Sequence, residues 1–317
     1  MAWSTTTWVM VFLAPIIVFT AGHLFLGIAR KVTARIHRRI GPPVLQQFID
    51  VMKLFGKRES TTHSWVQDMG ALFAVIGVFA SALFIPIGGD AVLSFQGDLI
   101  VLAYLLVIAP LGMALGTGST GNPNSAIGVS RGLMLMMAYE LPFAMVLVTV
   151  ILHFKTASLA EIVESQDNFK WAVLFLPLSA IAADLSLQAM MGEKPFDQPV
   201  APSEIGSGPM VEFGGKYLGM LMVWHAMSIV VEAGLFVDLF LGGGVVFPGD
   251  GTLALVGNIF VWLLLSLGMF MIAVFINTVF GRFKMGQALR FYWGFPTLIA
   301  LIGLALVVLS NLGVINW

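Results

Sequence analysis

The sequence lacks cysteine altogether among its 317 residues. Cysteine thiolates are the usual ligands of iron–sulfur clusters, and a disulfide needs two of them, so the chain itself provides neither. No spacing of histidine and carboxylate residues typical of a metal site is found either. We therefore expect no cofactor and no metal in this chain. If electrons move near this protein, another subunit carries them.

Charge is also scarce. Charged residues make up 10% of the chain and hydrophobic residues 58%, whereas soluble domains carry about a quarter charged residues. This composition predicts an all-α, polytopic membrane protein forming a single integral membrane domain over residues 1–317. The net charge of −1 argues against a nucleic-acid partner. The first apolar run has no basic start and no small-residue cleavage site, so we expect a retained span.

Apolar runs predict eight spans, each close in length to the about 20 residues that a helix needs to cross the hydrocarbon core of a membrane. They cover residues 9–29, 69–87, 99–116, 133–153, 171–191, 216–241, 254–279 and 293–312. The longer polar connections are 30–68, 117–132, 192–215 and 280–292. With alternating sides, fourteen of the sixteen basic residues fall on the side of these connections and only Lys155 and Lys170 on the other. The positive-inside rule makes the first side cytoplasmic. Both termini are then expected outside a cytoplasmic (inner) membrane.

The densest charge lies between Ala29 and Ser60. It comprises Arg30, Lys31, Arg35, Arg38, Arg39, Lys53, Lys57 and Arg58. Gly41-Pro42-Pro43 must break any helix there. After it, apolar residues recur at helical spacing and predict an amphipathic helix: Val44, Leu45, Phe48, Val51, Met52 and Phe55. Two interpretations remain open, a helix lying on the lipid surface and a docking platform for a soluble partner.

Titratable residues within apolar runs are candidates for ion translocation, because a buried charge is costly unless it is paired or neutralised. They are Glu140, Asp184, His225 and Glu232. His225 and Glu232 are two helical turns apart, about 10 Å along one face, which suits a water or a third side chain between them. Each acid is alternatively a protonated hydrogen-bonding group between helices. Asp238, near the outer end of its span, is expected to be a solvated interface residue.

Five blocks of the sequence resemble the H-type (subunit 1) membrane subunit of respiratory complex I and its hydrogenase relatives. The first comprises Arg30-Lys31, Ala34-Arg35-Ile36, Arg39-Ile40-Gly41-Pro42, Gln46 and Asp50 to Leu54. The others are Arg131 with Tyr139-Glu140, Pro195-Phe196-Asp197-Gln198-Pro199 with Glu204, Glu212-Phe213-Gly214-Gly215, and Arg282-Phe283-Lys284 with Gln287. All five fall on the side assigned to the cytoplasm, and together they span nearly the whole chain.

Departures from the pattern of quinone-reducing members favour the hydrogenase branch. Ala29, Met190, Val200, Pro202, His225 and Gly286 stand where acids are expected in that pattern. The run Gln287-Ala288-Leu289-Arg290-Phe291-Tyr292-Trp293 and the compact segment after Gly41-Pro42 are more similar to membrane-bound [NiFe]-hydrogenase complexes.

The resemblance implies a non-catalytic subunit that anchors a hydrophilic electron-transfer arm and couples electron transfer to H⁺ or Na⁺ movement. The implied partners are hydrogenase-like subunits holding Fe–S clusters, with Ni–Fe in the hydrogenase branch, antiporter-like membrane subunits and the lipid bilayer. Candidate coupling residues are Glu140, Asp184, Glu204, Glu212, His225 and Glu232. Candidate docking residues are Arg30, Arg35, Arg38, Arg39, Asp50, Lys53, Asp197 and Arg282. A quinone-reducing complex of the same fold stays open. A free-standing secondary transporter is the remaining alternative, although the chain has no internal repeat.

Overall fold

The computed structural model describes residues 5–57, 65–118, 120–166, 169–247, 249 and 251–314; Arg58, one of the eight clustered basic residues, lies outside them. The named elements of this described part are all helical. They are α1 (Thr5–Ile36), α2 (Gln46–Phe55), α3 (Trp65–Phe84), α4 (Asp98–Gly118), α5 (Pro123–Phe154), α6 (Leu159–Glu164), α7 (Ala172–Phe175), α8 (Pro177–Met190), α9 (Pro202–Ile205), α10 (Gly215–Phe240), α11 (Thr252–Val279) and α12 (Met285–Asn311), with 3₁₀ turns at Gly208–Glu212 and Gly242–Gly244.

Seven of these helices are long and apolar enough to cross a membrane: α1, α3, α4, α5, α10, α11 and α12. The predicted fifth span, 171–191, is instead divided between α7 and α8. Pro177 has no backbone N–H and disfavours a helical preceding residue, and Leu176 accordingly has φ −122° and ψ 50°.

The two short helices together run the depth of the bundle. At one end the Gln166 Oε1 atom accepts hydrogen bonds from the backbone N–H of Ala172 (2.9 Å) and of Gly242 (3.2 Å), just after α10 ends. At the other end Gln188 Nε2 donates to the carbonyl of Ala273 (3.2 Å), near the end of α11. The divided pair therefore occupies the place of the predicted fifth span, 171–191.

Three helices extend beyond the predicted span limits into segments that we expected to be loops. Helix α1 continues to Ile36, so Arg30 and Arg35 lie on it; α5 begins at Pro123 and carries Arg131; α12 begins at Met285. Lysine and arginine are good helix formers, so α1 continues past its apolar run and ends at Ile36, shortly before Arg38, which has a positive φ of 57°. Hydropathy predicts which residues cross the membrane, but it does not predict the residue at which the helix begins or ends.

Helix α10 is the buried centre of the bundle. Every residue from Ala226 to Phe240 is buried, and α10 packs against α1, α3, α8 and α11. Helix α1 approaches it so closely that a Cβ at Gly22 would lie 2.0 Å from the carbonyl oxygen of Ala226. Close approach through small residues is how helices associate in membranes, where lipid supplies no hydrophobic drive between them.

Helix α2 forms where the amphipathic pattern predicts a helix, but its orientation differs from the simple expectation. It packs against α1 and α10 through Gln47 and Val51, which are its buried residues. Leu45, Met52 and Phe55 from the predicted apolar face are exposed. The helix therefore presents an apolar edge outward, as expected for a segment beside lipid or another subunit.

Candidate functional site

Three polar segments are fastened together by a cluster of four charged residues, which we call the Arg282 cluster: Arg131, Asp197, Glu204 and Arg282. The Arg282 guanidinium binds both oxygens of Asp197, with Nε–Oδ1 and Nη2–Oδ2 distances of 2.6 Å. Its Nη1 atom lies 3.1 Å from Glu204 Oε1, and Arg131 Nη1 lies 2.9 Å from Glu204 Oε2. Hydrogen bonds from the two arginines hold the pKa of the Glu204 carboxyl below its usual range.

Backbone contacts reinforce the same junction. The Phe283 N–H donates to the Pro195 carbonyl (3.0 Å), and Gln198 Nε2 donates to the Phe283 carbonyl (3.2 Å). The segment after α8, helix α9, helix α5 and the α11–α12 connection are therefore held as one surface. Three of the five motif blocks contribute residues to this surface, those of Arg131, of Pro195 to Glu204 and of Arg282-Phe283. Sequence order alone does not reveal that they meet.

The predicted docking residues divide into two groups. Asp197 and Arg282 bind each other, with side chains only 15% and 13% exposed, and Arg30 lies 3.4 Å from Asp50. A second group is exposed and has no ion-pair partner among the described residues: Arg35, Arg38, Arg39 and Lys53. Docking stays a prediction for both groups, but only the residues of the second group can bind a partner without first breaking an ion pair within the chain.

Glu212, a predicted coupling residue, lies on the 3₁₀ turn before α10. Its carboxylate accepts a hydrogen bond from Asn122 Nδ2, and its backbone carbonyl accepts one from Gln67 Nε2. Asn122 caps α5 and Gln67 lies in the first turn of α3. In this structure Glu212 thus ties three helix starts together.

A cavity of about 1160 Å³ opens beneath this surface. Its rim carries charged or titratable side chains, namely Arg30, His37, Arg39, Glu193, Lys194 and Asp197, and its deep wall includes Tyr139, Trp224, His225 and Ser228. Most of the remaining lining is apolar, with Leu26, Met113, Leu135, Met190 and Met222 among the residues. The cavity therefore connects a polar rim with the interior of the helix bundle.

A second, much smaller cavity of 20 Å³ lies deeper and contains Glu232 in its lining. That volume suits about one water molecule. Five residues line both cavities: Pro110, Tyr139, Met190, Trp224 and Ser228. One buried carboxyl oxygen of Glu232, Oε2, has no hydrogen-bond partner among the described residues. A thin wall thus separates the large cavity from a buried acid.

His225 and Glu232 both lie on α10, with Ser228 between them in the sequence; His225 lines the large cavity and Glu232 the small one. The Ser228 hydroxyl donates to the His225 carbonyl (3.1 Å). Glu140 and Asp184 are on α5 and α8 and line neither cavity. Glu140 Oε1 is nevertheless buried without a hydrogen-bond partner in the described part of the chain, and its neighbour Tyr139 lines both cavities. A role for these four residues in coupling stays a prediction.

The expectation that Asp238 is solvated was wrong. Its side chain is fully buried, and Trp262 Nε1 donates to its Oδ1 atom at 2.9 Å. The cause is the turn at Gly242–Gly244, which folds back over the end of α10: a Cβ at Gly243 would lie 3.4 Å from Asp238 Oδ1. Hydropathy places Asp238 near the end of a span but gives no sign of this cover.

Two other residues were missed by sequence reasoning. His23 was assigned no role, yet it is fully buried in α1, and its ring stacks on Phe48 of α2 with centroids 4.9 Å apart. Glu193 follows α8, lines the large cavity and accepts a hydrogen bond from Asn277 Nδ2. Its position directly after an apolar span was the available signal. Within the described residues there is no group of three His, Asp or Glu that could hold a metal ion.

Comparison with known proteins identifies the family. The family model for NADH dehydrogenase matches residues 7–308. This chain belongs to the NADH dehydrogenase family, that of the H-type membrane component of complex I. The resemblance inferred from the five motif blocks is thereby confirmed, as is the all-α polytopic membrane fold.

Relatives within this family differ in the reactions named for them. The H-type component of the NADH-quinone oxidoreductase of Protochlamydia amoebophila is 29% identical, over 90% of this chain and 91% of its own. Formate hydrogenlyase subunit 4 of Escherichia coli is also 29% identical, over 88% and 92%. A chain of the solved membrane-bound sulfane sulfur reductase, an archaeal respiratory membrane complex, has a TM-score of 0.88 and 41% identity, covering 95% of this chain and 99% of that one. The family members similar to this chain are membrane subunits of complex I-like complexes.

Proposed function

We propose that this chain is the membrane-anchor and coupling subunit of a complex I-like redox complex of the hydrogenase and sulfane sulfur reductase branch. The observation that carries the proposal is the continuous arrangement of surface, cavity and buried acid. The Arg282 cluster fixes the surface, the cavity of about 1160 Å³ lies beneath it, and five shared residues separate that cavity from Glu232. A redox event in a docked partner would thus act close to a titratable group inside the membrane.

The docking surface is the basic region at the end of α1. Arg35, Arg38 and Arg39 are exposed and unpaired among the described residues, so a partner with an acidic face gains their attraction without breaking an existing ion pair. The exposed apolar edge of α2, Leu45, Met52 and Phe55, adds a hydrophobic contact. We place this surface in the cytoplasm and both chain termini outside the inner membrane, because fourteen of the sixteen basic residues then lie inside.

Charge reversal tests the docking surface. The triple variant Arg35→Glu, Arg38→Glu and Arg39→Glu is expected to release the hydrophilic arm from membranes, whereas Lys155→Glu with Lys170→Glu on the opposite side is expected to retain it. Membrane fractionation with quantification of both the anchor and the arm provides the measurement. An arm that stays membrane-bound at normal levels in the triple variant removes this docking surface from the proposal.

Coupling is tested at Glu232. Glu232→Gln keeps the shape of the side chain and removes its titration, so it is expected to preserve assembly and to lower H⁺ or Na⁺ uptake into sealed vesicles during turnover. Glu164→Gln, at an exposed residue of α6, is the control. Equal ion uptake in both variants at equal assembly assigns Glu232 a structural role.

The electron acceptor is decided by the partner subunits, since this chain has no cysteine to hold a cluster. We propose Fe–S clusters in hydrophilic partners, together with antiporter-like membrane partners. Purification through a tag on this chain, followed by identification of co-purified subunits and metal analysis, distinguishes the branches. Iron with nickel indicates a hydrogenase; iron without nickel indicates reduction of sulfur compounds or quinone.

A quinone-reducing complex is the second candidate, and the cavity is the observation that favours it. Its largely apolar inner lining is typical of a site for an apolar small molecule, and its volume of about 1160 Å³ is large enough to hold one. Formation of quinol by the purified complex, lost when Met222→Trp fills the cavity but kept in Met52→Trp on the exposed edge of α2, supports this candidate. Turnover with ferredoxin that is insensitive to Met222→Trp excludes it.

A further inference from the structure

Glu193 occupies a boundary between solvent and the cavity. It belongs to the turn that follows α8, in which the Phe196 N–H donates to the Glu193 carbonyl (2.9 Å). Its neighbours Gly192 and Lys194 are exposed, Glu193 itself is half-buried, and all three line the large cavity. Both residues next to Glu193 in the sequence are therefore in contact with bulk water, and Glu193 itself borders the cavity that also reaches His225.

The surroundings of Glu193 fix its carboxyl in place. Asn277 Nδ2, on the last turns of α11, donates to Glu193 Oε2. Gln188 Nε2 binds the Lys194 carbonyl (2.8 Å) as well as that of Ala273 (3.2 Å), which holds the turn against α11. The other charged or titratable side chains lining this cavity are Arg30, His37, Arg39, Tyr139, Lys194, Asp197 and His225.

Asp197 and Lys194 are the charged groups that act on the Glu193 carboxyl. Burial raises the pKa of Glu193 to about 7; the nearby Asp197 charge acts in the same direction, while Lys194 and the Asn277 hydrogen bond oppose the rise. Asp197 is held by Arg282 through two bonds of 2.6 Å, so its charge is fixed next to the Glu193 site.

We propose that Glu193 is a proton-uptake residue, which takes one proton from bulk water at the exposed Gly192–Lys194 edge and delivers it to the cavity that reaches His225. The step forms one O–H bond on the carboxylate and breaks the same bond on release, and no electron moves. The binding of the proton by Glu193 is argued from the position and surroundings of its carboxyl and does not depend on the proposed coupling function. Only its use rests on the proposed coupling function.

The first test measures the proton itself in the intact complex. Difference infrared spectroscopy during a pH titration is expected to include a carboxylic-acid carbonyl band of Glu193 with a midpoint at a pH of about 7. The band should be lost in Glu193→Gln and kept in the control Glu164→Gln. Asn277→Ala, which removes the donor to the carboxylate, should keep the band and move its midpoint upward. This last variant leaves Glu193 in place, so it decides the matter even where Glu193→Gln fails to assemble.

The second test measures the consequence for turnover. A single carboxyl with this pKa is about 90% protonated at a pH of about 6 and about 10% at a pH of about 8, so a step requiring the protonated form slows about tenfold between them. Turnover should follow that profile in the wild type and change less than about twofold in Glu193→Gln. Glu193→Asp, which keeps a carboxyl, should restore a pH-dependent profile.

A carbonyl band that persists unchanged in Glu193→Gln overturns the proposal, and so does a wild-type pH profile in that variant. Both measurements are read without ion uptake. If wild-type vesicles turn over and move no ion, the coupling function fails, while the infrared titration still decides by itself whether Glu193 takes up the proton.

Discussion

Removing the Arg282 guanidinium should destabilise the protein more than removing any other arginine of the polar surface. Arg282 makes two 2.6 Å bonds to Asp197 and one of 3.1 Å to Glu204. Because the Arg282 and Asp197 side chains are only 13% and 15% exposed, the variant leaves a carboxylate with little water around it. Breaking a buried pair costs about 3–5 kcal/mol; partial access of water reduces this to about 2–3 kcal/mol for Arg282→Ala.

The form of the side chain matters as well as its charge. Arg282→Lys keeps the positive charge but has a single ammonium in place of the fork that binds both Asp197 oxygens. It should recover about half of the loss, because a lysine acts as a point charge. The Arg30–Asp50 pair, at 3.4 Å with side chains 41% and 31% exposed, should contribute less than about 1 kcal/mol.

Unfolding of the detergent-purified chain by a denaturing detergent, followed by fluorescence of its eight tryptophans, measures these differences. A double-mutant cycle with Asp197→Asn isolates the pair from other effects of each substitution. Arg290→Ala is the matched control, since Arg290 is exposed and has no ion-pair partner among the described residues. A coupling energy below about 0.5 kcal/mol, or equal effects of Arg282→Ala and Arg290→Ala, would refute the view that this cluster fastens the loops.

Three further predictions follow from single sites. Glu140→Gln should leave the complex assembled and reduce ion uptake if Glu140 titrates; wild-type uptake at normal assembly makes it a structural group. Gly27→Ala should unfold or misassemble the chain, because its Cβ would lie 1.9 Å from the Val44 carbonyl oxygen, whereas Gly268→Ala, with nothing within 4 Å, should be tolerated in expression and thermal-stability assays. Cysteines introduced at Ser207 and Gly251 into this cysteine-free chain should react with impermeant reagents from opposite sides of the membrane; labelling of both from one side contradicts the orientation.

The sequence predicts the membrane fold well because composition and proline position act locally. Long apolar runs give the helices, and Pro177 is a visible reason for the break between α7 and α8. Contacts between distant segments are different. Asp197 and Arg282 are 85 residues apart, and either residue alone is typical of a solvated loop, so their pairing depends on how α8 and α11 end beside each other.

Burial of polar residues was the least predictable property, for the same reason. Glu193 stands beside an exposed lysine in the sequence, and the hydrogen bond that its carboxyl accepts comes from Asn277, 84 residues away on α11. Asp238 is covered by a glycine turn whose three residues all have positive φ, a conformation that glycine adopts without a steric penalty. The local sequence shows that Glu193 and Asp238 are acidic and lie near the end of a span. It does not show their burial, because the residues that exclude water from them come from elsewhere in the chain.

On the polar surface, the charged residues that are paired within the chain differ in role from those that are unpaired. The paired residues hold the polar segments together, whereas the unpaired residues are available to bind a partner. A residue already bound within the chain gains little from a partner, because it must exchange one charged contact for another. Arg282 and Asp197 are in this position, and their short bonds fix the frame around the cavity rim. Arg35, Arg38 and Arg39 have no ion pair within the described residues to give up, so we expect an acidic partner to bind at the end of α1. Salt should therefore weaken docking there, where charges are solvated and screened, before it loosens the more buried Arg282 cluster.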